Sequence, residues 1–137
     1  GMLVETWRKA AVVFAGLQPK TEMPVIVASF DLTVIPLISE IPGALPSKMY
    51  EAMAAEVPIV LAAEGDPREL LDRAGCGLHA RYGDVAAVAA AVTRLCDERE
   101  VARAFGRAGR AYVLQHHRRD AIAERMHAAL EAAVGDR

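Results

Sequence analysis

Short apolar runs alternate with helix-forming segments along this chain, and that alternation strongly limits the folds open to it. Three runs, at 12–16, 32–37 and 57–61, are rich in β-branched residues, and the first of them ends at Gly16. Such runs are typical of buried strands. The segment 22–30 fits either a strand or a helix by composition. Because adjacent parallel strands need a crossover between them, we expect it to form a short helix.

Helix signals fill the other intervals between these runs. The segment 47–55 has a helical pattern and follows a loop rich in proline and glycine. The next helix is expected to begin at Asp66, with aspartate as the N-cap and Pro67 as the first helical residue, and to end at Gly75. A short edge strand at 77–82 follows that helix. The order is therefore strand, helix, strand, helix, strand, helix and short strand.

Two further helices complete the chain. Asp84 is expected to cap the first of them, whose apolar stripe is formed by Val85, Val88, Val92 and Leu95. The remainder, 98–134, is also helical in pattern. Gly106 and Gly109 are expected to weaken its middle and Asp120 to restart it. Its expected apolar face is formed by Ile122, Met126, Ala129 and Ala133.

This order predicts an α/β fold with a small parallel sheet, helices on both of its faces and C-terminal helices. No linker divides residues 2–137, and 137 residues suit one domain. Ligands of open parallel sheets bind beyond the carboxyl ends of the strands. The loops at 16–21, 38–46 and 62–66 are therefore the places to look for a site.

Composition excludes several classes of protein. A net charge of -2 argues against nucleic acid as the main partner, and 53% hydrophobic residues argue against disorder. No apolar run approaches the length of a transmembrane segment, and Glu5 interrupts the start of any signal peptide. Cys76 and Cys96 lack the spacing of metal ligands, so we expect no metal site and two reduced, buried thiols in a cytoplasmic protein.

The segment 47–55 carries the most chemical information. Helical spacing places Ser47, Lys48 and Glu51 on one side, and Met49 and Met53 roughly opposite, where they can pack on the sheet. A carboxylate one turn into a helix can accept hydrogen bonds from a diol, and the N–H groups at the helix start can face an anion. Together they suit a ribose and its phosphates. A solvated Glu–Lys pair on an ordinary helix is the alternative.

The same segment resembles a known family. Residues 43–55, followed by Val57-Pro58-Ile59-Val60, resemble the donor site of GT-B retaining glycosyltransferases of family 4, also called group 1. Residues 30–37, 66–70 and 75–78 resemble the elements that flank that site. The resemblance covers about 12–134 and implies part of a Rossmann-like domain, the C-terminal nucleotide-sugar-binding domain.

The family transfers a sugar from a nucleotide-sugar of the UDP or GDP type, as substrate, to a glycan or lipid-linked acceptor, and the resemblance implies no further cofactor. By the same resemblance, Glu51 binds the donor ribose. The start of the helix faces the diphosphate or sugar. The loop at 16–18 corresponds to a loop that lies along the base of the nucleotide in the family. The implied binding residues are Gly16, Leu17, Gln18, Gly43, Leu45, Ser47, Lys48 and Glu51.

Two positions depart from the family pattern. Gly43 stands eight positions before Glu51, where the family has a first glutamate, so the contact of that glutamate with the donor sugar is absent. Glu56 stands where the family has a glycine between helix and strand. A positive φ there costs a non-glycine residue about 1 kcal/mol. The Pro46-Ser47-Lys48 version of the motif resembles enzymes of bacterial surface polysaccharide synthesis, including amino-sugar transferases.

The length of the chain has its own implications. A GT-B enzyme has two Rossmann-like domains, so the resemblance implies that the acceptor domain and the first half of the donor domain are supplied elsewhere, by an N-terminal domain or a partner chain. No catalytic residue is assigned, and this chain alone is expected to be inactive.

An exposed sheet edge would favour a homodimer. The alternative function is a non-catalytic nucleotide-binding or interaction module. A cytoplasmic enzyme at the inner face of the membrane also fits the resemblance.

Overall fold

A computed structural model of the chain describes residues 15–37 and 47–135, leaving aside the side chains of 117–125. Most of the predicted first strand, 12–16, therefore lies outside the described residues. The elements are, in order, α1 (Met23–Ala28), β1 (Thr33–Pro36), α2 (Ser47–Ala54), β2 (Ile59–Ala62), α3 (Asp66–Ala74), β3 (Gly77–Ala80), α4 (Val85–Asp97) and α5 (Arg99–Gly135).

The described strands form one parallel sheet in the order β1-β2-β3. Ile59, the first residue of the central strand β2, is paired with Thr33 on one side and Gly77 on the other. The α/β fold with a small parallel sheet is thus confirmed. The short helix expected within 22–30 is confirmed as α1.

Side chains of β2 alternate between two apolar layers. Ile59 and Leu61 are fully buried against the layer that contains α2 and α3. Val60, also fully buried, faces the opposite layer, which contains Leu95 of α4 and Ala102 of α5. Helices cover both faces, as the strand pattern predicts, and both faces of β2 are therefore apolar.

The long helix α5 joins these two layers without a break. Its residues Ala102 and Phe105 pack in one layer, and Tyr112 and Val113 in the other. The expected restart at Asp120 is wrong, because α5 is helical from Arg99 to Gly135, and the two glycines do not interrupt it. Close packing explains the glycines better: a Cβ added at Gly106 would lie 2.2 Å from the carbonyl oxygen of Glu56.

A Cβ added at Gly109 would lie 3.0 Å from the Cβ of Cys76. The backbone of α5 therefore approaches the ends of α2 and α3 more closely than a residue with a side chain would allow. Farther along α5, Met126 is 62% exposed. Ala129 and Ala133 are exposed as well. These three residues are thus exposed, and the side chain of Ile122, the fourth residue of the expected face, lies outside the described residues.

The helix boundaries confirm most of the expected caps. Gly75 ends α3 in the left-handed conformation, with a φ of 61°. The Asp84 Oδ1 atom accepts a hydrogen bond from the Ala87 amide, 3.0 Å away, as an N-cap does. Asp66 is not the N-cap of α3: Gly65 takes that place at φ 75°, and Asp66 is already helical. The N-cap therefore lies one position before the predicted one, at a glycine with a positive φ.

The expected stripe of α4 is confirmed in three of its four residues. Leu95 is buried, and Val88 and Val92 pack against the same apolar layer. Val85 is 80% exposed, so its assignment to the stripe is wrong. It is the first residue of the helix, one turn before Val88, where contact with the layer begins.

Candidate functional site

Helix α2 presents opposite faces to the core and to solvent. Met49 and Met53 are fully buried, whereas Ser47, Lys48 and Glu51 are exposed. The predicted division of this helix is therefore confirmed. Because α2 connects two parallel strands, its first turn lies at the carboxyl edge of the sheet, where α/β proteins bind ligands.

Glu51 lines a cavity of about 390 Å³ between α1 and α2. Met23, Pro24 and Val27 of α1 form an apolar wall, and Ala54 of α2 continues it. Lys20 lines the cavity from the loop before α1. The cavity thus combines an apolar surface with one carboxylate and one ammonium group.

Lys20 is the residue of this cavity that the sequence reasoning missed. Its only signal is its place two residues after Gln18, in the loop implied to lie along the base. Loop residues carry no periodicity, so their neighbours in space are known only once the fold is known. The structure brings this loop and Glu51 to the same cavity.

The other expected site residues are placed differently. Gly16 has a φ of 72°, and Leu17 is fully exposed. The Gln18 Nε2 atom donates a hydrogen bond to the carbonyl oxygen of Ala15, 2.8 Å away. None of these three residues lines the Glu51 cavity. Gly43 and Leu45 lie outside the described residues.

The end of α2 adopts a Schellman motif with glutamate in the position that favours glycine. Glu56 has a φ of 60°, as the resemblance leads us to expect. Its amide donates to the Met53 carbonyl at 3.2 Å, and the Val57 amide donates to the Ala52 carbonyl at 2.9 Å. These bonds fix the end of the helix that carries Glu51.

Arg110 of α5 holds the same end of α2. One of its terminal nitrogens donates a hydrogen bond to the carbonyl oxygen of Ala54, 3.1 Å away. Its Nε atom lies 3.6 Å from Glu56 Oε1. The last carbonyls of a helix lack partners within the helix, so this contact satisfies one of them. Arg110 therefore binds the C-terminal end of α2 to α5, whereas the first turn of α2 is exposed.

A second polar cluster lies where β2 leads into α3. His79 Nε2 on β3 lies 2.8 Å from the carbonyl oxygen of Ala63 and 3.0 Å from Glu64 Oε1. Both partners are acceptors, so this nitrogen carries the proton. Arg68 donates to the other Glu64 oxygen at 2.9 Å, and this hydrogen bond is the main reason why the pKa of Glu64 is lowered. The cluster holds the loop at 62–66 in place.

The two cysteines differ in their exposure to solvent. Cys76 is buried as expected, and burial raises the pKa of its thiol to about 11. It therefore stays protonated near neutral pH and is a poor nucleophile. Cys96 is exposed, so the expectation that both thiols are buried is wrong for this residue. It follows Leu95, one of the two buried residues of α4, and so points away from the apolar layer.

In the described part of the chain, no group of three histidine, cysteine or acidic side chains is placed to hold a metal ion. Among the helices of residues 15–37 and 47–135, none is long and apolar enough to cross a membrane.

Comparison with known proteins identifies the family. A family model described as glycosyl transferases group 1 matches residues 7–112, which is most of the chain. The chain belongs to the group 1 glycosyltransferases. The predicted family is confirmed at this level. A comparison with curated proteins finds no match.

A solved structure also resembles this group 1 domain. Sucrose-phosphate synthase from Thermosynechococcus elongatus is similar over 99% of this chain, with a TM-score of 0.76 and 26% sequence identity. The match covers 34% of the synthase chain. The group 1 domain thus spans about a third of that protein.

Proposed function

We propose that this chain forms the donor-binding part of a retaining glycosyltransferase that uses a UDP- or GDP-linked sugar. The observation that supports this most strongly is the position of Glu51. It is exposed on a helix whose opposite face is fully buried, and it lines a cavity together with Lys20 from the preceding loop. Family membership supplies the reaction class, sugar transfer.

The cavity offers chemistry for each part of a nucleoside. The Glu51 carboxylate can accept hydrogen bonds from both hydroxyls of a ribose. Met23, Pro24 and Val27 provide an apolar surface for a ring, and the Lys20 ammonium adds a donor beside it. A nucleoside can thus bury apolar area while its hydroxyls keep their hydrogen bonds.

The diphosphate is assigned to the first turn of α2. The first amides of a helix lack partners within the helix and carry the positive end of its dipole. Ser47 and Lys48 are exposed in this turn and add a hydroxyl donor and a positive charge. We place the phosphates here because Glu51 lies one turn farther along the same helix.

This chain alone is expected to lack turnover. Sugar transfer depends on holding donor and acceptor together and on stabilising the charge of the leaving nucleotide. A two-domain enzyme does this across a cleft, and this chain spans 34% of the similar synthase. A complementary domain, in the same protein or in a partner chain, would complete the site. We further propose that the complete enzyme belongs to the subgroup that makes bacterial surface polysaccharides and that it acts at the inner face of the membrane.

A non-catalytic nucleotide-binding module is the second candidate. Gly43 stands where the family has its first glutamate, and the absence of that glutamate favours a non-catalytic module. A module of this kind would bind the nucleotide through Glu51 but would not respond to the sugar attached to it. Comparing UDP with UDP-sugars, and GDP with GDP-sugars, separates the two functions.

Calorimetric titration tests the proposal. UDP, GDP and their sugars are titrated into the wild-type chain, Glu51→Ala and the control Glu100→Ala, which removes an exposed carboxylate of α5. We expect micromolar to millimolar binding, about -8 to -4 kcal/mol, for one base, retained in the control and weakened at least tenfold by Glu51→Ala. Absence of heat with every nucleotide in a folded chain, or equal binding by Glu51→Ala, would overturn it.

A further inference from the structure

A second cavity, of about 270 Å³, lies between α2, α3 and α5. Its polar lining consists of Tyr50 from α2, Asp66, Glu69 and Arg73 from α3, and Tyr112 and His116 from α5. It shares no residue with the Glu51 cavity. The proposed donor site leaves this polar surface without a role.

The side chains of this second cavity hold one another in place. The rings of Tyr112 and His116 are stacked, with centroids 6.0 Å apart and planes 7° apart. The Tyr112 side chain lies beside the Arg73 guanidinium in this lining and raises the pKa of Arg73. An aromatic ring that lies beside a guanidinium of α3 and stacks on an imidazole of its own helix loses little freedom when a ligand binds.

The charges exclude an anion as the preferred ligand. Two carboxylates, Asp66 and Glu69, face one guanidinium, Arg73, in the same cavity. A phosphate would be repelled by both carboxylates and attracted by a single cation. A bare cation would be attracted by the net negative charge, but it would leave the donor groups of Arg73 unused. A neutral ligand that carries both donors and acceptors can use all three side chains.

Hydrogen-bonding capacity narrows the ligand further. The carboxylates of Asp66 and Glu69 accept hydrogen bonds, whereas Arg73 donates them. A hydroxyl group can do both, so a ligand with several hydroxyls can form hydrogen bonds with all three side chains at once. The half-buried rings of Tyr50 and Tyr112 offer apolar surface for its C–H groups.

We propose that this cavity binds one neutral sugar unit at a position separate from the donor site. Its volume of about 270 Å³ is just below the usual range for drug-sized ligands, which suits a single ring and not a whole nucleotide-sugar. The inference does not depend on nucleotide binding at Glu51. In a sugar-transferring enzyme, such a site would hold part of a glycan beside the catalytic domain.

Protein-observed NMR titration tests this site. The probes are the methyl glycosides of glucose, galactose and N-acetylglucosamine, raised to about 100 mM, because single-sugar sites without a large buried area bind weakly. We expect saturable amide shifts confined to residues near 66–73 and 112–116 for at least one sugar. The same shifts should appear in Glu51→Ala, whose donor site is damaged.

Three variants give the comparison. Tyr112→Phe keeps the ring but removes the hydroxyl, and Glu69→Gln removes one charge; each is expected to weaken sugar binding about threefold to tenfold. Tyr82→Phe alters an exposed tyrosine outside the cavity and should leave binding unchanged. Absence of shifts with every sugar, equal binding by all three variants, or stronger shifts with inorganic phosphate than with sugar would overturn the proposal.

Discussion

Gly106 on α5 lies directly against the backbone of Glu56, the residue that ends the turn after α2. A Cβ at position 106 would lie 2.2 Å from the Glu56 carbonyl oxygen. Glu56 itself has a φ of 60°. Two unusual positions, 50 residues apart in the sequence, are thus parts of one contact, which sets how closely α5 crosses the end of the Glu51 helix.

Replacing Gly106 by alanine should destabilise the fold. The added methyl group meets backbone atoms, which cannot rotate away, so α5 or the turn at Glu56 must move. We expect a loss of about 1–3 kcal/mol in the free energy of unfolding, measured by urea denaturation.

Gly135→Ala is the matched control, because a Cβ there meets no atom within 4 Å. It lies at the end of the same helix, and the free energy of unfolding should change by less than about 0.5 kcal/mol. Helix propensity favours alanine at both positions, so equal effects of the two substitutions would contradict a steric cost at position 106.

Glu56 carries conformational strain that glycine would remove. We expect Glu56→Gly to be more stable than Glu56→Ala by about 1 kcal/mol, because both lose the ion pair with Arg110 and only glycine adopts a positive φ without cost. Urea denaturation of the two variants measures the difference. If the alanine variant is as stable as the glycine variant, the left-handed conformation of this turn is contradicted.

Acid should weaken the cluster formed by Glu64, Arg68 and His79. The hydrogen bond from Arg68 lowers the pKa of Glu64 below its ordinary value of 4.5. The corresponding stability is fully present above that ordinary value and is lost as the pH falls through the lower value of the folded state. Glu64→Gln should therefore flatten the acid side of the stability profile. A profile unchanged by this substitution between pH 3 and about pH 6 would contradict it.

The two thiols should react at very different rates. Cys96 is exposed, whereas Cys76 is buried and its pKa is raised to about 11. A thiol-specific disulfide reagent at about pH 8 should modify one cysteine of the folded chain quickly and the second only on unfolding. Peptide mapping should place the fast site at Cys96. Fast reaction in Cys96→Ser would show that Cys76 is accessible.

Local patterns in the sequence predict the strand and helix order well. The β-branched runs become β1 and β2, and the buried Met49 and Met53 follow from helical periodicity alone. Gly75 and Asp84 act as helix ends because their caps depend on neighbouring residues only. Such features need no knowledge of distant parts of the chain.

Contacts between distant segments could not be predicted in this way. Gly106 favours a break in a helix by propensity, but its contact with Glu56 gives it a packing role that appears only in three dimensions. Lys20 joins the Glu51 cavity through the path of a loop. Tyr112 of α5 and Arg73 of α3 line the same cavity, and neither residue belongs to the family pattern read from the sequence.

A crystal structure with bound nucleotide tests the central claim most directly. The chain would be crystallised with UDP or GDP, whichever gives the larger heat in solution. We predict that both ribose hydroxyls lie within hydrogen-bond distance of the Glu51 carboxylate, with the diphosphate at the first turn of α2. A nucleotide bound elsewhere, with Glu51 in contact with solvent alone, would contradict the donor-binding role.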